Sequence, residues 1–398
     1  MVVQVVSSGV VLLGGAHGAL SAARSFGRKG IPVFLVTDDH PLPKLSRYIT
    51  RRFDWPGTRS PEIVDWLLRF ADEQGARKWL LLPCGDPEVR LVAENVSRLR
   101  TVFDVASLDW ATLQKVCDKQ QLAETASAAG VAVPKNYRVR SAEDAVSTEI
   151  RFPVVLKPAM RLERNPFTAA KAWRADSRDE FVRLYRDAAS YVGAANVVVQ
   201  ELIPGGGEAQ LSYVGAWLEG RPLAEMTARR SRQYPVDFSF SSTFVEAVDN
   251  ERVKAAAKQL LAATGFEGLV EVEFKYDARD DAYKVLDVNP RTWSWLELAP
   301  FCGFDFAVLL KDAVNGTVAG RSQNQPVPKP GSRAWLHLSR DLVVAMQLIR
   351  RGELTPAGYL RSLGQRLTFA AFAWDDPLPG LLELPLTGTR VMTRKLRR

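Results

Sequence analysis

Short apolar runs alternate with amphipathic stretches through the first hundred residues. GVVLLGG, IPVFLVTDD and WLLLPCGD read as strands, with an Ala-rich stretch ending at Arg28 and a helix-patterned one around Pro61 to Gln74 between them. Uniformly apolar strands separated by helices predict a parallel sheet covered on both faces. From Trp110 the rhythm changes. A helix is predicted over about Leu113 to Ala129, closed by Gly130, and is followed by the extended segments VAVPKNYRV and FPVVLKP. A helix from Ser177 to Ser190 leads into VVVQELIP, and beyond GGGEA the stretch QLSYVGAWLEGRPLAEMTAR has the pattern of antiparallel strands. A helix from Glu251 to a glycine cap at Gly265 precedes LVEVEFKYD and YKVLDVNPR, which the acidic turn ARDD joins.

The expected class is therefore α/β, becoming α+β in its second part. A Rossmann-like segment spans 1–110 and a second body 111–320, with a small lid subdomain at about 135–200. A Pro-, Gln-, Ser- and Gly-rich linker at 321–331 then leads to a helical, basic extension at 332–398.

Composition narrows the function classes. With 398 residues, 46% hydrophobic and 25% charged, the chain is expected to fold in water around sizeable cores. Its net charge of +8 admits nucleic acid, lipid or a polyanionic ligand. Counted from Gly331 onward, however, there are eleven Lys/Arg against five Asp/Glu, so +6 of the +8 sits in the last sixth of the chain. That argues against a basic, nucleic-acid-binding body. The three cysteines, Cys84, Cys117 and Cys302, form neither a disulfide framework nor a CxxC pattern, and fit a reducing, cytoplasmic compartment. Met1 to Ala23 carries no charge, but without a basic start it reads as a first buried strand rather than a signal peptide. No run of 18 apolar residues exists to span a membrane. For the helix-patterned WLHLSRDLVVAMQLIRRGEL, packing on the body is favoured over contact with a membrane surface.

The strongest chemical constellation lies at 269–291. Period-two alternation puts Glu271 and Glu273 on one face of a strand and Val270, Val272 and Phe274 on the other, while the partner strand offers Asp287, Asn289 and Arg291. Two carboxylates about 4 Å apart repel by about 4 kcal/mol at an effective dielectric of 20, so the arrangement asks for a cation, and Mg²⁺ suits oxygen donors. Lys157 ends an apolar strand and Lys119 opens a helix; with Lys171 they are candidates for phosphate contacts. Gly14, Gly15 and Gly18 with Asp38 have the look of a dinucleotide fingerprint, but the spacing GGxxG favours a plain tight turn. The histidines His17, His40 and His337 stand too far apart in sequence to suggest a triad or a zinc site.

Taken in order, the DKxxL element at Asp118, VVLKP at Val154, VVVQELIPGGGE at Val197, VEVEF at Val270 and LDVNPR at Leu286 resemble the ATP-grasp superfamily. The match is best to its carboxylate–amine ligase branch, within reach of D-aspartate ligases and of the carbamoyl-phosphate-synthase and biotin-carboxylase type domains, and it covers about residues 1 to 320. The resemblance implies ATP and Mg²⁺ as cofactors. It implies that Lys119 and Lys157 hold the nucleotide phosphates, that Gln200, Glu201, Leu202 and Ile203 form the hinge at the adenine, and that Glu208 meets the ribose. Glu273, Asp287 and Asn289 match the magnesium ligands, Arg291 the arginine that steadies the acyl phosphate, and Arg229 and Arg230 the basic residues over the γ-phosphate or the carboxylate. After Lys157 this chain departs from the family, reading AMRLERNPFTAAKAW where a glycine-rich lid is usual; Arg161, Arg164 and Lys171 are the candidates to replace its amides. The expected reaction joins a small carboxylate to a small amine. A bicarbonate-activating carboxylase and a non-catalytic nucleotide-binding protein are the competing readings, and a homodimer is left open.

Overall fold

A computed structural model describes residues 8–38, 41–159, 165–170, 172–317 and 331–396. The first three apolar runs become parallel strands, as their uniform hydrophobicity requires: β1 (Val10–Leu13), β2 (Val33–Val36) and β4 (Leu80–Pro83), with β3 (Arg51–Phe53) at the edge, in the order β3-β2-β1-β4. All four are parallel neighbours. The helix His17–Arg28 covers one face of this sheet and Ile63–Glu73 the other.

The predicted helix over Leu113 to Ala129 is two helices, Trp110–Cys117 and Lys119–Ala128. Asp118 divides them. Its backbone is extended (φ −81°, ψ 126°) and its carboxylate accepts from the N–H groups of Gln120 and Gln121, so it caps the second helix instead of continuing the first. This break makes Lys119 the first residue of a helix.

A small antiparallel sheet follows, built from β5 (Asn136–Tyr137), β6 (Val154–Pro158), β7 (Trp173–Ala175) and β8 (Val197–Glu201) in the order β5-β8-β6-β7. The helix Arg178–Val192 packs on it through Phe181, Tyr185 and Ala188. The large sheet has seven strands: β9 (Gln210–Leu218), β10 (Arg221–Tyr234), β11 (Ser241–Val248), β12 (Gly268–Asp277), β13 (Ala282–Asn289), β14 (Arg333–Leu336) and β15 (Arg366–Phe369), ordered β13-β12-β9-β10-β11-β14-β15. One face of it, carrying Val214, Ala216, Met226 and Ala228, is joined in a common core to Val10 and Leu12 of the parallel sheet. The other face, carrying Val270, Val272, Phe274 and Val285, packs on the helices Glu251–Ala263 and Lys119–Ala128.

The C-terminal segment contains helices, as expected, and it also adds two strands to the large sheet: β14 pairs antiparallel with β11, and β15 runs parallel to β14. The helix Leu338–Arg350 turns Asp341, Val344 and Ala345 inward. Arg232 of β10 donates to both carboxylate oxygens of Asp341, at 2.9 and 2.8 Å, and both residues are buried. Residues 321–330 of the expected 321–331 linker lie outside the described residues, as do His40, Arg161, Arg164 and Lys171. Among the described residues no helix is long and apolar enough to cross a membrane.

Candidate active site

The hairpin of β12 and β13 sets the centre of the site. In its register Glu271 faces Asn289 and Glu273 faces Asp287, so the period-two reading of the two strands holds across the pair. Asn289 donates from Nδ2 toward both glutamates, at 3.4 Å to Glu271 and 3.3 Å to Glu273. Lys119 Nζ lies 3.4 Å from Asp287, carried there by the helix that Asp118 starts.

Glu271, which the sequence reading left out of the ligand set, is as firmly built in as the others. Its Oε1 accepts from Ser212 Oγ at 2.9 Å and from Trp295 Nε1 at 3.0 Å. Burial raises its pKa above the usual carboxylate range, and the neighbouring Glu273 adds to that against the pull of Arg230. The signal was present in the alternation of LVEVEF.

Arg229 and Arg230 are separated by the same strand geometry. Arg230 is buried, with Nη1 2.6 Å from Glu273 Oε2 and Nε donating to Ser242 Oγ at 2.7 Å. Burial opposes its charge, but Glu273, Glu271 and Asp287 together hold it firmly protonated. Arg229 is exposed and is not brought to the site. Arg291 donates from Nε to Asp86, from Nη1 to the Thr292 carbonyl at 3.1 Å and from Nη2 to Asn289 Oδ1 at 3.3 Å. Burial works against its charge too, and Asp86, Glu271 and Asp287 together hold it protonated.

Two cavities meet at this hairpin. The narrower, about 80 Å³, runs between the small and large sheets and is lined by Lys157, Gln200, Glu201, Leu202 and Ile203 on one side and Lys275 and Leu286 on the other. Lys157 Nζ donates to Gln200 Oε1 at 2.9 Å across the β6–β8 ladder. The Glu201 carboxylate points away into an ionic network, accepting from the Lys135 N–H at 2.9 Å, Lys284 Nζ at 2.9 Å and Arg279 Nη2 at 2.8 Å. Glu208 is not on the cavity wall; its carboxylate turns back to accept from the Gly206 N–H at 2.8 Å. The wider cavity, about 720 Å³, lies against the parallel sheet and is lined by Arg59, Asp86, Arg90, Arg230, Arg291 and Trp293 among others. Lys119, Glu273 and Asp287 line both. Arg59, Asp86 and Arg90 come from the first hundred residues, and no local motif marked them.

The donor set fits the expected groups. Glu273 and Asp287 bring carboxylate oxygens together across the hairpin and Asn289 carries an amide oxygen beside them, the kind of donors that Mg²⁺ takes. Gln233 lines the narrow cavity with a buried Oε1 that has no hydrogen-bond partner, and Lys119, Lys157 and Lys275 line the same space, which suits a phosphorylated ligand with polar edges. Cys117 lines the wide cavity and Cys84 lies nearby, but burial pushes both thiols up to about 12, so neither supplies a thiolate at neutral pH.

The fingerprint-like glycines serve packing. Gly14 and Gly15 have φ of 64° and 83°, and a Cβ on either would lie 2.5 Å from Glu88 or Cys84; a Cβ on Gly18 would meet Thr292 at 2.6 Å. Asp38 accepts from Trp55 Nε1 at 2.7 Å. The turn closes the helix onto β4 and onto the Thr292–Trp293 wall of the wide cavity, as the plain-turn reading expects.

A parallel sheet, a small antiparallel sheet and a large sheet with a cavity between the last two match the ATP-grasp fold, and the chain resembles the carboxylate–amine ligase branch of that superfamily. It is 26% identical over 382 residues to a D-aspartate ligase from Enterococcus faecium, covering 85% of this chain and 87% of the relative. The structure matches an L-amino acid ligase from Bacillus licheniformis with a TM-score of 0.61 at 14% identity, over 80% of this chain and 77% of the other. It also matches the ADP complex of an N5-carboxyaminoimidazole ribonucleotide synthetase (TM-score 0.61, 14% identity, 81% and 80% covered). A biotin carboxylase from Campylobacter jejuni aligns with a TM-score of 0.60 at 16% identity, over 80% and 73%. No protein-family model matches the chain.

Proposed function

We propose that this protein is an ATP- and Mg²⁺-dependent carboxylate–amine ligase that forms an amide through an acyl phosphate. The observation that carries the reading is the meeting of the two cavities at Lys119, Glu273 and Asp287, which supplies one point where a nucleotide's terminal phosphate and a second substrate can touch. The narrow cavity takes ATP: Val155, Leu202, Ile203 and Leu286 sandwich the base, and Lys119 and Lys157 meet the phosphates. Glu273, Asp287 and Asn289 hold Mg²⁺, which when bound neutralises phosphate charge.

In the wide cavity, Arg291 and Arg230 orient the substrate carboxylate. One of its oxygens attacks the γ-phosphorus and ADP leaves. The amine nitrogen then attacks the acyl carbon, phosphate leaves and the amide remains. Arg291 is aimed at the oxygens where negative charge builds in both steps, and its ties to Asp86 and Asn289 fix it before substrate arrives. No protein nucleophile is required. The relative named D-aspartate ligase supports amino-acid-like substrates, and the absence of paired cysteines (Cys84, Cys117 and Cys302 are all free) supports a cytoplasmic site of action.

The test is ADP release with pairs of amino acids in the presence of Mg²⁺. The expected result is release that depends on one carboxylate and one amine and that falls by about 10²–10³-fold in Glu273→Gln or Asp287→Asn. Release that needs bicarbonate instead of an amine would replace this reading with the carboxylase one, and nucleotide binding without turnover would leave only the binding protein.

A further inference from the structure

Two of the chain's three histidines, separated by hundreds of residues, meet outside the cavities described above. His17 is the first residue of the His17–Arg28 helix, His337 lies between β14 and the Leu338–Arg350 helix, and Glu383 belongs to the C-terminal helix Leu378–Leu396. Their spacing in sequence gave no reason to join them; the addition of β14 to the large sheet does so.

The geometry is that of donors turned toward one point. Both Nε2 atoms face the same carboxylate oxygen, with His17 Nε2 2.7 Å and His337 Nε2 3.3 Å from Glu383 Oε1, and the ring centroids are 5.0 Å apart. One ligand atom from each residue falls within 4.8 Å of the other two. Both histidines are buried, and His337 Nε2 is a buried nitrogen without a hydrogen-bond partner. A tetrahedral ion with bonds of about 2.1 Å separates its ligand atoms by about 3.4 Å, inside the range these three atoms already span. The His337 backbone is fixed by its N–H bond to the Thr243 carbonyl, at 2.8 Å.

We infer that His17, His337 and Glu383 bind one zinc ion, separate from the oxygen-only cluster of the β12–β13 hairpin. Two imidazole nitrogens and one carboxylate suit Zn²⁺ as clearly as Glu273, Asp287 and Asn289 suit Mg²⁺, and a water completes the fourth position. The ion staples the C-terminal helix to the first helix and to the sheet. Because Gly18, next to His17, packs on Thr292 and Trp293, the staple also supports a wall of the wide cavity.

The experiment uses the full chain, stripped with a chelator and titrated with Zn²⁺ and with Co²⁺ in the absence of nucleotide and Mg²⁺. The expected result is one zinc per chain at micromolar concentrations, a thermal midpoint that rises with zinc, and an intense tetrahedral d–d band with Co²⁺. His337→Ala and Glu383→Gln weaken zinc by more than the roughly 10–100-fold that loss of an outer-shell partner costs, while Glu273→Gln binds as the wild type does. Circular dichroism checks that the variants fold, and the Co²⁺ spectrum of the wild type tests the site without any substitution. Absence of stoichiometric zinc in the wild type, an octahedral Co²⁺ spectrum, or full zinc binding in folded His337→Ala would overturn the site. None of these readouts depends on ligase activity, so the two proposals fail separately.

Discussion

Arg230 and Arg291 both line the wide cavity and are both held by acids before any ligand binds, but they are anchored at different places. Arg230 is locked to Glu273, a residue that lines both cavities, and to Ser242, whereas Arg291 is tied to Asp86 and Asn289 on the wall of the wide one. Arg291→Lys is therefore expected to lower kcat by about 10²-fold while leaving the KM for ATP within a few-fold, because a lysine cannot reproduce the fork that spans Asp86 and Asn289. Steady-state kinetics at saturating and limiting ATP check this. At this scale the sequence was readable where a repeat of two governs: Glu271 and Glu273 share a face and meet Asn289 and Asp287 across the hairpin, although a register shift beyond Glu273 turns Val285 to the core and Leu286 to the cavity. It was not readable for the pair Arg229–Arg230, since neighbours on a strand point to opposite faces and only the fold decides which is inside. Lys157 and Gln200 meet through a cross-strand register that no local pattern encodes.

Elements show the same division. Strand and helix order followed from hydrophobic periodicity, but the predicted Leu113–Ala129 helix hid a break, because Asp118 is also tolerated inside helices and only its cap geometry reveals the stop. The hairpin ends in an ionic knot in which Lys284 donates to Glu201 at 2.9 Å and Asp277 at 2.8 Å, and Arg279 grips both acids. This knot fixes the β8 hinge to the hairpin that carries the acidic cluster. Arg279, then Lys284, hold the Asp277 carboxyl well below the usual range, and Glu201 is held low by the Lys135 N–H and Lys284 against its burial. Carboxylates with depressed folded pKa values contribute stability that is present above the ordinary carboxylate range and lost as pH falls through the folded values. Lys284→Met should thus cost roughly 1–3 kcal/mol at neutral pH and flatten the fall in stability below about pH 5, as measured by denaturant unfolding across pH.

For the whole molecule, the charge asymmetry has a structural setting. The last 68 residues carry +6 of the +8, yet they are tied into the body by their acids: Asp341 to Arg232 and Thr243, Asp376 to Arg24 and Ser46, and Asp375 to Arg28 and Tyr48. Arg24 and Asp376 are almost fully buried, with Arg24 also donating to the Ala371 carbonyl at 2.6 Å. Asp341→Ala leaves Arg232 uncompensated and is expected to cost about 3–5 kcal/mol, seen as a lower denaturant midpoint with an unchanged slope. Composition could locate the charge but not its partners, which lie between 98 and 352 residues away.

In the proposed reaction ATP activates a carboxylate at the junction of the two cavities. With the carboxylate substrate labelled with ¹⁸O, turnover should move one labelled oxygen per amide formed into inorganic phosphate. Amide formation that yields unlabelled phosphate would contradict it.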